Sequence, residues 1–294
     1  MKIQKTLCQQ AFAAVMPALL TSCDDDEPSS SASSSSSAPY FGLRDCGKVI
    51  SSIQIGDAFG FVQCSFVYDG SGRVVKSDYY DDEAKRNSTV SYDYNSQTGK
   101  AAKEHESDKI VSFDADANGR FNSLTYEYDS RDRKRAYEFK YNSDGNVISV
   151  VETHSQVLDG KWINHRCCTY TLIWDGDLLT SVSCTKRYEY NPTYDSEYEV
   201  KITYSDVVNK YRIPLCGLST MLFNEFPNEL SIAPSKLPKK AECYVQDGQG
   251  EEEYVYACRY TLDDEGFIES EYIEDNADSE NYADVRYTYA DKEF

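Results

Sequence analysis

A short hairpin pattern recurs along this chain and constrains its fold more than any other feature. The clearest copy is residues 139–147, FKYNSDGNV: two aromatic residues two positions apart, an Asn, a short polar stretch, a Gly and an apolar residue. Aromatic residues two positions apart lie on one face of a strand. Asn or Asp opens a turn, and Gly takes its positive-φ position. Each copy therefore predicts a β-hairpin.

Further copies begin near residues 66, 92, 113, 172 and 260. Successive hairpins form an antiparallel meander, and a long meander curls or closes to remove its edges. The 25 Tyr and 12 Phe residues favour strands over helices. We predict an all-β fold, a large antiparallel meander of about 12–16 strands that is curved or closed like a barrel. Alternating charged and aromatic residues, as in residues 135–141, favour a soluble barrel with its rings inside over a membrane-spanning one.

One stretch, residues 209–240, breaks the pattern. It contains Pro214, Pro227, Pro234 and Pro238 and an apolar run at 218–223. Proline at this density excludes central strands. We predict a non-repeat insertion with one short helix that lies across or plugs one end of the sheet, within a single domain spanning 40–294.

The first 22 residues have the pattern of a secretory signal peptide. Lys2 and Lys5 precede an uncharged apolar run at 6–20, which is too short to span a bilayer as a helix. The sequence LTSC at 20–23 resembles a bacterial lipobox. That resemblance implies cleavage before Cys23, attachment of lipid to its sulfur, and a membrane partner reached through this N-terminal lipid.

Residues 23–39 are predicted to be a disordered tether because acidic residues and then serines fill them. The acidic run after Cys23 resembles the surface-export signal of Bacteroidota lipoproteins, although an ordinary polar spacer would look similar. We therefore expect a lipid-anchored, exported protein at the outer membrane or cell surface. The net charge of −20 excludes nucleic acid as a partner, since phosphate binding needs clustered Lys and Arg.

The chain resembles a family of uncharacterised Bacteroidota lipoproteins with a porin-like fold. The matching features are the lipobox, the Tyr-Asp/Asn-x-x-Gly hairpins, and the stretch from Asn209-Lys210 through Leu218 to residues 235–239. The resemblance covers residues 40–294 and implies a barrel-like fold. The family brings no established catalytic residues.

One disulfide can be argued from geometry. If Asp175-Gly176 formed a two-residue turn, Cys167 would face Cys184 across a hairpin in a non-hydrogen-bonded pair. The Cα separation of such a pair, about 4.5 Å, lies at the short edge of the disulfide range. We predict this contact, with its oxidation state left open.

The loop at 114–119 places Asp114, Asp116 and Asn118 at the first ligand positions of a calcium loop, followed by Gly119. The twelfth position is Thr125, where a bidentate Glu belongs. A plain hairpin turn is therefore the favoured interpretation, and we predict no metal. No nucleophile arrangement or cofactor motif is recognisable, so we predict no catalytic residues and no cofactor.

Trp162 and Trp174 lie near hairpin ends and are candidates for an exposed platform on which a ligand stacks. The sequence therefore favours a non-enzymatic module that binds a glycan or peptide. One alternative is a structural or accessory subunit of an outer-membrane complex, and a less favoured one is a hydrolase.

Overall fold

The computed structural model describes residues 47–291, except 59, 71–72, 95–100, 106–108, 117–119, 129–131, 223–231 and 249. The signal peptide, the tether and Cys23 lie outside the described residues. Within the described part the chain forms sixteen strands, one short α-helix and one 3-10 turn. The strands are β1 (Lys48–Asp57), β2 (Gly60–Tyr68), β3 (Val74–Asp81), β4 (Arg86–Tyr94), β5 (Ala101–His105), β6 (Lys109–Ala115), β7 (Phe121–Tyr128), β8 (Arg133–Tyr141), β9 (Val147–Leu158), β10 (Lys161–Asp175), β11 (Leu178–Tyr188), β12 (Ser196–Val208), β13 (Lys236–Asp247), β14 (Gly250–Leu262), β15 (Ile268–Asp275) and β16 (Tyr282–Asp291). The 3-10 turn is Pro192–Tyr194 and the helix, α1, is Cys216–Met221.

Each strand pairs antiparallel with its neighbours in sequence, and β1 pairs with β16 through residues such as Ile53 and Tyr287. The sheet is therefore a closed barrel, and the predicted meander is confirmed. In the part of the chain that the structure describes, no helix is long and apolar enough to cross a membrane.

Side chains alternate between the barrel interior and solvent. In β12, Tyr198, Val200 and Ile202 are buried, whereas Glu199 and Lys201 between them are exposed. The same rule applies to β8, in which Tyr137 is fully buried and the neighbouring Glu138 is exposed. The aromatic faces therefore fill the interior, as the sequence predicts. Charged residues cover the outward faces of these two strands.

Four hairpin turns share one hydrogen-bonding scheme. Their first residues are Asp69, Asp116, Asn142 and Asp263. In each turn, the first residue donates its N–H to the carbonyl four positions later, at 2.8–3.0 Å. The side-chain oxygen of the first residue accepts the N–H of that same later residue at 2.9–3.0 Å. Gly145 and Gly266 have φ values of 86° and 92°, which explains why these turns contain glycine.

A ring of aromatic donors reinforces the barrel end that carries these turns. Five tyrosines and one tryptophan each donate to a backbone carbonyl on an earlier hairpin, at 2.6–3.0 Å. The pairs are Tyr68–Ile50, Tyr94–Val74, Tyr141–Phe121, Trp174–Val147, Tyr204–Leu179 and Tyr289–Ile268. The aromatic residue that precedes a turn thus ties its hairpin to the preceding part of the sheet.

The same end is filled by the described residues between β12 and β13, 209–222 and 232–235, which we call the plug. Its described apolar side chains, including Ile213, Leu215, Leu218 and Leu222, are almost completely buried among residues of the barrel wall. The predicted insertion with one short helix is thus present, and it plugs one end. We name this the plug end, and the opposite end, where β9 connects to β10, the far end.

The predicted C-terminal boundary of the insertion is too late. β13 begins at Lys236 and includes Pro238, which pairs with Tyr204. The pairing register shifts on both sides of Tyr204. A proline lacks the N–H that a regular ladder requires, and an irregular stretch of this kind tolerates it.

Candidate functional site in the barrel interior

Charged side chains interrupt the apolar lining of the interior on β8 to β11. We call Arg135, Glu152, His154, Arg166 and Lys186 the interior charged cluster. The strand register places Arg135 opposite His154, and His154 opposite Arg166. The next row toward the plug holds Glu152, Cys168 and Lys186. The first of these rows lies nearer the far end, and the second lies near the middle of β9 and β10.

Glu152 is the centre of this cluster, with a side chain only 2% exposed. Nε and Nη2 of Arg135 each lie 2.8 Å from Oε1 of Glu152, and Nη2 of Arg166 lies 3.1 Å from it. The hydroxyl of Tyr170 donates to Oε2 at 3.0 Å. His154 contacts both Glu152 and Arg166 through Nε2. The carboxylate is therefore fully surrounded by donors.

These contacts fix the charge states of the cluster. Burial alone would raise the pKa of Glu152, but the hydrogen bond from His154 and the nearby guanidinium groups outweigh burial and lower it. Burial lowers the pKa of His154 to about 4, although Glu152 acts in the opposite direction. At neutral pH the cluster therefore contains an ionised carboxylate and a neutral imidazole.

Lys186 is held separately from Glu152. Its Nζ donates to the hydroxyl of Tyr198 at 2.7 Å, and Ser196 donates to the same oxygen at 2.8 Å. Burial opposes the charged form, but Tyr198 and other neighbours raise the pKa of Lys186 overall. The lysine therefore stays charged while it donates to the neutral hydroxyl of Tyr198.

The predicted Cys167–Cys184 contact is wrong. The register places Cys167 opposite Arg187, and Cys184 opposite Tyr170. The turn lies one residue later than predicted, with Asp175 opposite Leu178, and a bulge at Ile173/Trp174 shifts the pairing further. Neither Cys167 nor Cys184 forms a disulfide bond.

The thiol that hydrogen-bonds Cys184 belongs to Cys168. Both side chains are buried in the interior, next to the interior charged cluster.

The two tryptophans do not form one platform. Trp162 lies at the far end and is 53% exposed, whereas the half-buried Trp174 packs against the core at the plug end. The indole N–H of Trp174 donates to the carbonyl of Val147 at 2.7 Å. Trp174 is therefore a structural member of the aromatic ring, and Trp162 remains a candidate for ligand stacking.

The loop at Asp114 and Asp116 is a hairpin turn. Oδ1 of Asp116 accepts the N–H of Arg120, and Oδ2 lies 2.6 Å from the Arg120 guanidinium. Asp114 accepts a longer bond, 3.4 Å, from Asn122. Asn118 lies outside the described residues. Among the described residues, no group of His, Cys, Asp and Glu side chains could hold a metal ion.

A shallow depression of about 730 Å³ lies on the outward face of β11–β14. Glu197, Glu199, Glu253 and Tyr244 contribute to its lining. These carboxylates are exposed, and the Tyr244 ring already packs under the ammonium of Lys201 at 5.2 Å. A solvated acidic surface is the simplest interpretation, so we place the candidate site in the interior.

Solved structures contain the same fold. A porin-like protein from Bacteroides uniformis ATCC 8492 superposes with a TM-score of 0.52 at 14% identity, covering 82% of this chain and 96% of that one. A porin-like protein from Bacteroides vulgatus ATCC 8482 gives 0.53 at 12% identity, covering 82% and 98%. This chain has a porin-like β fold. No family model matches the chain, and no curated protein matches it.

Sequence reasoning missed the interior charged cluster. A signal was present, because Arg135 is two positions before the inward Tyr137, and Glu152 is two positions after the inward Val150. Charged residues on an otherwise apolar face of a strand indicate either a buried ion pair or a site. Which of these charges meet depends on register, which the sequence did not supply.

Proposed function

We propose that this chain is a non-enzymatic, lipid-anchored surface protein of a bacterial outer membrane, and that its barrel binds a glycan or peptide at the far end. The single observation that supports this function best is the partial exposure of the interior charged cluster. Glu152 is 2% exposed, yet Arg166 beside it is 24% exposed. A ligand arriving from the far end would thus meet charged groups that are already positioned.

The proposed anchor is lipid on Cys23, joined to the barrel by the tether at 23–39. Charged outward positions such as Glu197, Glu199 and Lys201 support a barrel that sits in water, because membrane barrels carry an apolar outward band. Two or three acyl chains supply stable attachment without a spanning segment.

A direct test of the anchor uses the full chain expressed in a Bacteroides host. Metabolic labelling with a palmitate analogue should mark the protein, and Cys23→Ala should lose both the label and membrane association. Protease treatment of intact cells should remove the barrel from the surface. Unlabelled protein, or protein resistant to protease in intact cells, would contradict the proposed location.

The proposed ligand binding is tested with glycan and peptide arrays. Arg166→Gln removes a charge of the interior charged cluster, while Arg187→Gln is a matched control on the outward face of β11. We expect binding that weakens at least tenfold in Arg166→Gln and persists in Arg187→Gln. The absence of any ligand on both arrays would contradict this function.

The accessory-subunit alternative is favoured by one other observation. Ile173, Val207 and Val208 are 58%, 44% and 59% exposed near the plug end. Exposed apolar side chains of this kind suit a protein partner. Cross-linking in intact cells should capture one defined outer-membrane protein if this alternative applies, and Ile173→Asp should abolish that cross-link.

A further inference from the structure

The interior charged cluster carries a net charge opposite to that of the whole chain. The whole protein carries a net charge of −20. The interior charged cluster nevertheless contains three cations, Arg135, Arg166 and Lys186. Glu152 forms ion pairs with both Arg135 and Arg166. A strongly acidic protein has thus placed an excess of positive charge in this cluster.

One carboxylate can balance only one of these cations. Arg135 makes two contacts of 2.8 Å with Glu152, so the two arginines share a single carboxylate. Arg166 contacts the same oxygen at the longer distance of 3.1 Å. Lys186 donates to a neutral hydroxyl. Unbalanced buried charge is costly, and an anion from outside would remove that cost.

The hydrogen-bonding capacity of the site is also incompletely used. Nε of Arg166 is buried and has no hydrogen-bond partner. Nδ1 of His165 is also buried without a hydrogen-bond partner. The rings of His154 and His165 meet edge to face, with centroids 5.8 Å apart. Partial burial, Arg166 and Arg133 all lower the pKa of His165, so the field of these arginines reaches this end of β10.

Guanidinium groups bind oxyanions with fixed geometry, and charge-assisted hydrogen bonds are about twice as strong as neutral ones. The Arg166 side chain is 24% exposed, so part of it is accessible to solvent. The hydroxyl of Tyr198 lies beside Lys186, and the hydroxyl of Tyr170 donates to Glu152, the carboxylate that Arg166 contacts. The arrangement therefore suits a ligand that presents several oxygens around one negative charge.

We infer that the far-end site binds the acidic group of its ligand, a carboxylate, sulfate or phosphate, through Arg166 and Lys186. This inference rests on the proposed ligand-binding function and adds the charge of the ligand to it. The group can belong to an acidic sugar or be a free inorganic ion, and the experiment separates these two sources.

The test uses the full-length protein in detergent and four probes: sodium sulfate, sodium phosphate, oligogalacturonate, and neutral galactose oligomers of equal length. Calorimetric titration at constant ionic strength should detect at least one anionic probe and no binding of the neutral oligomers. Tight binding of oligogalacturonate with weak binding of the inorganic ions would identify an acidic sugar. The reverse order would identify a free ion.

Two variants locate the binding. Arg166→Gln and Lys186→Met should each weaken anion binding at least tenfold, while Arg187→Gln should leave it within twofold. If either interior variant unfolds, a rise of the wild-type thermal unfolding midpoint with anion concentration, at constant ionic strength, supplies a second measurement.

Equal binding of the neutral oligomers, still weakened by Arg166→Gln, would overturn the inference and leave the proposed binding function standing. Binding of none of the three anionic probes would also overturn it. In that case the arrays described above decide whether the barrel binds any ligand at all.

Discussion

The carboxylate of Glu271 accepts a 3.0 Å hydrogen bond from the backbone N–H of Gly217, and this contact joins the plug to the barrel wall. Leu218 donates to the second oxygen at 3.3 Å, and the hydroxyl of Tyr287 donates at 2.9 Å. Glu271 is completely buried. Burial raises its pKa to about 7, although the backbone and Tyr287 hydrogen bonds act in the opposite direction.

This raised pKa predicts that the wild-type protein loses stability as pH rises. The unfolded chain ionises Glu271 near pH 4.5, whereas the folded chain does so near 7. The contribution of Glu271 to the free energy of unfolding is therefore fully present below pH 4.5 and is lost once the pH passes 7. The loss corresponds to about 3 kcal/mol. The titration of His154 has the opposite effect on stability. Its folded pKa of about 4 is below its ordinary value of 6.5, so its contribution to stability is lost as the pH falls from 6.5 to 4.

The variant Glu271→Gln isolates the carboxyl from other titrating groups. Urea unfolding at pH 5, 6, 7 and 8 should show a wild-type free energy of unfolding that declines relative to the variant. Glu269→Gln, on the outward face of the same strand, should follow the wild type. Parallel pH profiles for the wild type and Glu271→Gln would contradict the assignment.

Gly217→Ala should loosen the plug. A Cβ at this position would lie 2.9 Å from Cδ of Glu271, whose carboxylate is held by its three donors. Overpacking of this kind costs about 1–3 kcal/mol. Thermal unfolding should show a lower midpoint for Gly217→Ala. Gly70→Ala, where nothing lies within 4 Å, is the control and should change little.

Glu152→Gln should destabilise the protein strongly, because it leaves Arg135 and Arg166 buried without their carboxylate. Removing one member of a buried ion pair costs about 3–5 kcal/mol. Chemical denaturation at pH 7 measures this loss. The matched control is Glu138→Gln, whose side chain is exposed on β8 and should give a change within about 0.5 kcal/mol. A loss as small as the control's would show that the cluster is solvated.

Tyr141→Phe should weaken the aromatic ring at the plug end. The hydroxyl donates to the carbonyl of Phe121 at 2.9 Å, and burial raises the pKa of Tyr141 above its ordinary range. Loss of one such bond costs about 1 kcal/mol. Urea unfolding compares this variant with Tyr190→Phe, whose ring is 60% exposed. Equal unfolding midpoints for the two variants would show that the hydrogen bond from Tyr141 to Phe121 does not stabilise the barrel.

Local chemistry explains what was predictable about the fold. The spacing from Asn142 to Gly145 fixes a turn within a few residues, and alternation along residues 135–141 fixes which side chains face inward. These are short-range constraints, so the meander, the inward aromatic faces and the plug follow from the sequence. The boundary at Pro238 failed because strand irregularity at Tyr204 depends on the partner strand.

The register of long strands was the point at which sequence reasoning failed. One turn offset and one bulge moved Cys184 from Cys167 to Tyr170. A bulge is a response to the twist and closure of the whole sheet, so neighbouring residues do not specify it.

The sequence by itself determined the hairpins, the inward faces of the strands and the position of the plug, because each follows from contacts within one or two turns of chain. Only the tertiary structure decided that Arg135, Glu152 and Arg166 meet in one cluster. Strand register is set collectively when sixteen strands close into a barrel. Electrostatic contacts between β8, β9 and β10 exist only after that closure.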